Sequence, residues 1–245
     1  MRLSALRLRV DDPDALAGFY RDAFGMSVRW EGPNRRVGYA GQDADLLLMP
    51  GGGGYRHDRG QRYWKIGITV PDVDLAAAHL LRMGVDVSVA RQFLDIGYMA
   101  HLSDSDGFVI ELLQHDFDGN RPDGAADPED PFARARIGQV TLRTGDIASE
   151  DQFCRGQGMR LLSMQDVALY GFDLHFYAFT KDVPPSGDLW AVQNREWLWK
   201  RPYTTLEFQH VPDAQFSPVP DYRGLEIEGL SAAVSDAAGD RWLPA

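Results

Sequence analysis

Near the start of the chain, Leu6, Leu8 and Val10 alternate with Arg7 and Arg9, a period of two that predicts a strand with one buried face. Asp12-Pro13 follows, an N-cap with proline at the first helical position. Leu16, Phe19, Tyr20 and Ala23 then fall at helical spacing, and Gly25 stands where a helix-ending glycine would. The arrangement recurs from Lys65, with Asp72 and Gly84, and from Gln139, with Asp146 and Gly158. Counted from Ala5, Lys65 and Gln139, the acid comes seven residues on and the glycine nineteen or twenty. Arg9 and Arg143 share the fourth step, and Phe19 and Phe153 the fourteenth. Strand-like runs follow each copy: 36–40 and 45–49; then 87–90, 98–102 and 108–114; then 160–170, 172–179 and 204–210. Each unit therefore reads as strand, helix and further strands, and the predicted class is α+β built from three repeated βαβββ modules.

Composition changes between the units. Gly51 to Gly54 follows the first, and residues 116–135 are rich in Asp, Pro, Gly and Ala, as an exposed connector would be. Residues 181–200 form an excursion inside the third unit, with Pro184-Pro185 and a short helix predicted around 194–200. The organisation expected is a pair of modules over 1–117, a linker over 118–135, a third module over 136–212 and a C-terminal extension over 213–245. One strand candidate in that extension, 225–232, reads as a possible remnant of a fourth module. An odd number of modules leaves an open edge, which predicts a homodimer.

The bulk numbers remove several classes of function. Net charge is −11 and no Lys/Arg cluster exists, which argues against nucleic acid and anionic membranes as partners. No apolar run approaches the roughly 20 residues of a membrane span. The single cysteine, Cys154, allows neither an internal disulfide nor a cysteine metal cage. A cytoplasmic protein acting on a small molecule is expected.

The strand–Asp–helix–Phe-Tyr–Gly pattern of unit one, Ile66-Gly67-Ile68-Thr69-Val70 with Gly107-Phe108-Val109-Ile110-Glu111 of unit two, and the third unit resemble the vicinal oxygen chelate superfamily. That group includes glyoxalase I, bleomycin-resistance proteins and extradiol dioxygenases. The resemblance spans about residues 4–210 and implies modules that pair into half-open barrels around a metal and substrate. The third unit, with Gln139 on its first strand and Thr205-Leu206-Glu207 on its last, resembles the first module of glyoxalase I. It implies Gln139 and Glu207 as metal ligands, Glu111 as a ligand that also moves a proton, and Arg143 as the contact to a substrate carboxylate. Glu111 and Glu207 are then the catalytic pair, and the ion is Zn, Ni, Mn or Fe. Lys65 departs from this pattern, because it occupies a position where the family supplies His, and a protonated amine cannot coordinate a metal.

Two functions remain open. One is a glyoxalase-like, metal-dependent lyase or isomerase acting on a small carbonyl or thiol conjugate. The other is a non-catalytic small-molecule binding protein of the same fold, metal-free, with a Lys65–Glu111 ion pair in the metal's place. Metal-free proton transfer by Glu111 would need burial to raise its pKa. Unit three could pair with unit two, which gathers Glu111, Gln139 and Glu207, or with its own copy. The histidines, including His175 and His210 on neighbouring strands, read as core or surface residues.

Overall fold

The three acids of the repeat cap three helices. Asp12 accepts hydrogen bonds from the backbone of Asp14 and Ala15, Asp72 from Leu75, and Asp146 from Ser149. Gly25, at φ +67°, takes the left-handed conformation that ends the first helix without a Cβ penalty. The computed structural model describes residues 1–245.

Unit one is β1 (Arg2–Val10), α1 (Pro13–Phe24), β2 (Ser27–Glu31), β3 (Asn34–Gly38) and β4 (Asp45–Pro50). Unit two is β5 (Tyr63–Val70), α2 (Val73–Arg82), β6 (Arg91–Phe93), β7 (Gly97–Ser103) and β8 (Val109–Gln114). Unit three is β9 (Arg136–Thr144), α3 (Ile147–Gly156), β10 (Arg160–Val167), β11 (Phe172–Ala178), α4 (Gln193–Trp199) and β12 (Thr205–His210). The extension adds β13 (Tyr222–Glu228), β14 (Val234–Ser235) and β15 (Arg241–Pro244). The pattern missed β2, an edge strand whose residues are nearly all exposed and so carry no alternation. The strand expected over 87–90 contributes one bridge, Val87 to Leu102, and the ladder forms at β6 instead. The run expected over 160–170 ends at Val167, where a single 3-10 turn over Ala168–Tyr170 takes over.

Strand pairing departs from the expected pairing of units one and two. Unit two joins unit three in an eight-stranded sheet, ordered β10-β11-β12-β9-β5-β8-β7-β6. Unit one joins the C-terminal extension in a seven-stranded sheet, ordered β14-β15-β13-β1-β4-β3-β2. The repeats have similar first strands, so local pattern does not distinguish the edge of β1 from that of β5. The choice is made by long-range contacts. Arg62, just before β5, is buried and bonds Glu150 of α3 at 2.8 Å, Asp236 at 2.9 Å and Asp240 at 2.9 Å. Tyr20 of α1 donates to buried Asp104 at 2.7 Å, tying unit one to unit two. Because β13 occupies the edge of β1 within the chain, the odd-module argument for a homodimer loses its premise.

One core cluster of 44 buried residues draws on both sheets and on α1 and α2, so the two sheets are one packed body. A second cluster of 10, including Met99, Leu113, Leu174, Phe176 and Trp199, lines the inside of the eight-stranded sheet. No helix is long and apolar enough to cross a membrane.

Candidate functional site

The parallel pairs β5–β8 and β9–β12 flank the antiparallel β5–β9 seam at the centre of the eight-stranded sheet. Side chains on one face of these four strands converge. Lys65 comes from β5, Glu111 from β8, Gln139 from β9 and Glu207 from β12. All four line a cavity of about 550 Å³. Its walls are mainly apolar, with Trp64, Met99, Leu113, Leu174, Phe176 and Trp199 among them. Gly67 sits opposite Gln139 on the seam, where a Cβ would overlap the Gln139 side chain, so glycine there lets Gln139 turn into the cup.

The polar groups form a connected cluster. Lys65 Nζ lies 2.5 Å from Glu111 Oε1, and His101 Nε2 lies 3.0 Å from the same oxygen. Gln139 Nε2 donates to Glu111 Oε2 at 2.8 Å. Burial works against a charge on Glu111, but Lys65 and His101 outweigh it and hold the carboxyl below its usual range. Glu207 behaves in the opposite way. Burial pushes it up to about 7, helped by the negative charge of Glu111, and the nearby Lys65 and the Thr141 hydroxyl, which donates to it, only partly offset this. The raised carboxyl that metal-free proton transfer by Glu111 would need is found at Glu207 instead. The reason is one ammonium: it is bonded to Glu111 and merely near Glu207.

A divalent ion does not fit this donor set. Lys65 places a positive charge 2.5 Å from the carboxylate that would ligate the ion, in the position implied for a metal-binding His. The ammonium supplies the counter-charge that a cation would otherwise bring. With Glu207 titrating near neutrality, the cluster balances its charge within the protein.

The structure brings Glu111, Gln139 and Glu207 together and leaves Arg143 out. Arg143 is not among the residues lining the cavity. Its guanidinium donates to Gln209 Oε1 at 2.9 Å and to the carbonyls of Gln61 at 3.0 Å and Asp58 at 3.2 Å. It lies behind Trp64, 4.7 Å from the ring centroid. Arg143 is thus consumed in fixing residues 58–61 and Trp64, and the expected carboxylate contact has no free donor face toward the cup.

Sequence reasoning missed Trp64, Gln165 and Trp199 as lining residues. Gln165 gave a signal: it is polar in a run that also supplies Leu162 and Val167 to the core. It is fully buried, and neither side-chain polar atom has a protein partner. Gln139 Oε1 is likewise buried without a partner. Unpaired buried amides facing a cavity cost stability unless a ligand or water completes them. The equivalent face of the seven-stranded sheet is closed by ion pairs, with Glu226 bonded to Arg7 at 3.0 Å and to Arg36 at 2.8 Å.

Residues 2–112 match the family model described as Glyoxalase/Bleomycin resistance protein/Dioxygenase superfamily. The match covers units one and two and stops short of unit three. Among solved structures, glyoxalase I from Zea mays aligns with TM-score 0.69 and 21% identity, over 93% of this chain and 74% of that one. A variant of the same maize protein aligns with TM-score 0.72 and 19% identity, over 98% and 90%. A putative dioxygenase from Bacillus subtilis aligns with TM-score 0.58 and 11% identity, over 98% and 72%. No curated relative matches the sequence.

Proposed function

We propose that this chain, a member of the glyoxalase/bleomycin resistance/dioxygenase superfamily, binds a small, largely apolar molecule in the cup between units two and three, with no metal in that cup. The observation that carries this reading is the Lys65–Glu111 pair at 2.5 Å, which sets a fixed cation against the carboxylate that the resemblance implies as a metal ligand. The apolar walls supply binding energy by desolvation, at about 25 cal/mol per Å² of apolar surface removed from water. Gln139 and Gln165 supply the directional contacts, since each has an unpaired polar atom within the site.

The test uses the amphiphilic fluorophore 8-anilinonaphthalene-1-sulfonate, whose fused rings are apolar, on the intact chain. One site per chain is expected, unaffected by EDTA and lost in Leu174→Trp, which fills the cup. Binding that EDTA abolishes would overturn the metal-free reading. So would methylglyoxal–glutathione isomerisation that depends on an added divalent ion and fails in Glu111→Gln.

A second reading rests on Glu207, whose carboxyl is poised near pH 7 inside the same cavity. A group with that poise can take and return a proton at neutral pH, the acid–base part of an isomerase or lyase reaction. If the cup is catalytic, Glu207→Gln abolishes turnover of the substrate while the fluorophore still binds. Turnover that survives this substitution would remove Glu207 from the chemistry.

A further inference from the structure

We propose that Asp173, His175 and His210 bind a first-row divalent transition metal such as Zn²⁺, on the face of the eight-stranded sheet turned away from the cup. The register of the β11–β12 ladder assembles the trio. Asp173 lies directly opposite His210, and His175 lies two residues along β11, so all three point to one side. The neighbouring pair Phe176 and Glu207 points to the other side, into the cup. The two sites are therefore separated by the thickness of the sheet.

The donor atoms already converge, each within 4.8 Å of the others. His175 Nε2 lies 2.5 Å from Asp173 Oδ1, and His210 Nδ1 lies 3.2 Å from the same oxygen. Tetrahedral coordination with bonds of about 2.0–2.1 Å sets donors roughly 3.4 Å apart. A small retreat of the Asp173 carboxylate from His175 would meet that spacing. The His210 Nδ1 to Asp173 Oδ1 distance is already close to that spacing.

The site has walls and an entrance. The His175 side chain is 8% exposed, and its ring sits edge-on to His210 at 6.1 Å and to Trp190 at 6.5 Å. Asp173 is 27% exposed, which gives an ion a way in and leaves a coordination position for water. Two imidazoles and one carboxylate are a donor set suited to Zn, Fe, Co or Ni and poorly suited to Ca or Mg. The cup lacks this chemistry: its one nearby imidazole, His101, shares Glu111 with an ammonium.

The experiment is Zn²⁺ titration by calorimetry, with Co²⁺ absorption as a geometric readout, on chelator-treated full chain. One ion per chain is expected, with visible Co²⁺ bands of a low-coordinate nitrogen/oxygen site. His175→Gln, His210→Gln and Asp173→Asn should each weaken Zn²⁺ by at least about tenfold. Glu111→Gln and Glu207→Gln should leave it unchanged. Absence of Zn²⁺ binding to the wild type overturns the proposal even if a variant fails to fold. Zn²⁺ that survives all three outer-face substitutions overturns it too. If that ion is lost in Glu111→Gln, the metal-free reading of the cup fails separately.

Discussion

Lys65→Met is the perturbation that bears most directly on the cup. It leaves Glu111 buried, with its side chain 4% exposed, and removes the cation 2.5 Å away. Deleting one partner of a buried ion pair typically costs about 3–5 kcal/mol, because the remaining charge has lost water and gained nothing in return. His101 Nε2 touches the same carboxylate oxygen at 3.0 Å, a contact that survives the substitution and recovers part of the loss. The expected cost is therefore about 3 kcal/mol, at the lower end of that range. For a chain of this size that is a fall in Tm of roughly 6–12 °C. Lys65→Met combined with Glu111→Gln should recover most of this, because the charge is gone and the amide oxygen at 111 can still accept from Gln139. Thermal and urea unfolding followed by near-ultraviolet circular dichroism at pH 7 would measure the cycle. A coupling energy of about 2 kcal/mol or more is expected. A single substitution within about 0.5 kcal/mol of wild type, or additive effects, would refute the argument that the ammonium replaces a metal. The sign with pH is fixed. Glu111 titrates lower in the folded chain than its ordinary value of 4.5, so the pair's contribution is complete above that value and drains away as pH falls toward 2.

Glu207 should show the opposite dependence. Its folded value of about 7 lies above the unfolded 4.5, so its ionisation erodes stability as pH rises through that window. Glu207→Gln should flatten the stability profile between pH 4.5 and 7 and gain a few kcal/mol at pH 8, read by urea midpoints at each pH. Equal slopes for variant and wild type would remove the raised carboxyl from the account. Gly67→Ala should cost about 1–3 kcal/mol and weaken fluorophore binding, because the new Cβ displaces Gln139; an unchanged urea midpoint would show that the seam has slack. Cys154 is buried and burial pushes its thiol up, so Ellman's reagent should label it only on unfolding. Fast labelling of the native chain would contradict that packing.

The repeat, the three capping acids and the helix stripes were legible in the sequence because they are short-range periodicities, set by how one residue's side chain meets those two to four positions away. The choice of Glu111, Gln139 and Glu207 as candidates came from the resemblance. Which unit pairs with which was not legible, since similar first strands offer similar edges and the decision falls to Arg62 and its three acids, up to 178 residues away in sequence. The opposite fates of Glu111 and Glu207 depend on which carboxylate the Lys65 ammonium reaches, a matter of a few ångströms that spacing does not encode. Arg143 looked free because its partners are a cross-strand amide, Gln209, and two backbone carbonyls 85 and 82 residues away, none of which a sequence marks. Asp173 and His175 met His210 only when the β11–β12 register was set, because a cross-strand neighbour is local in space and distant along the chain.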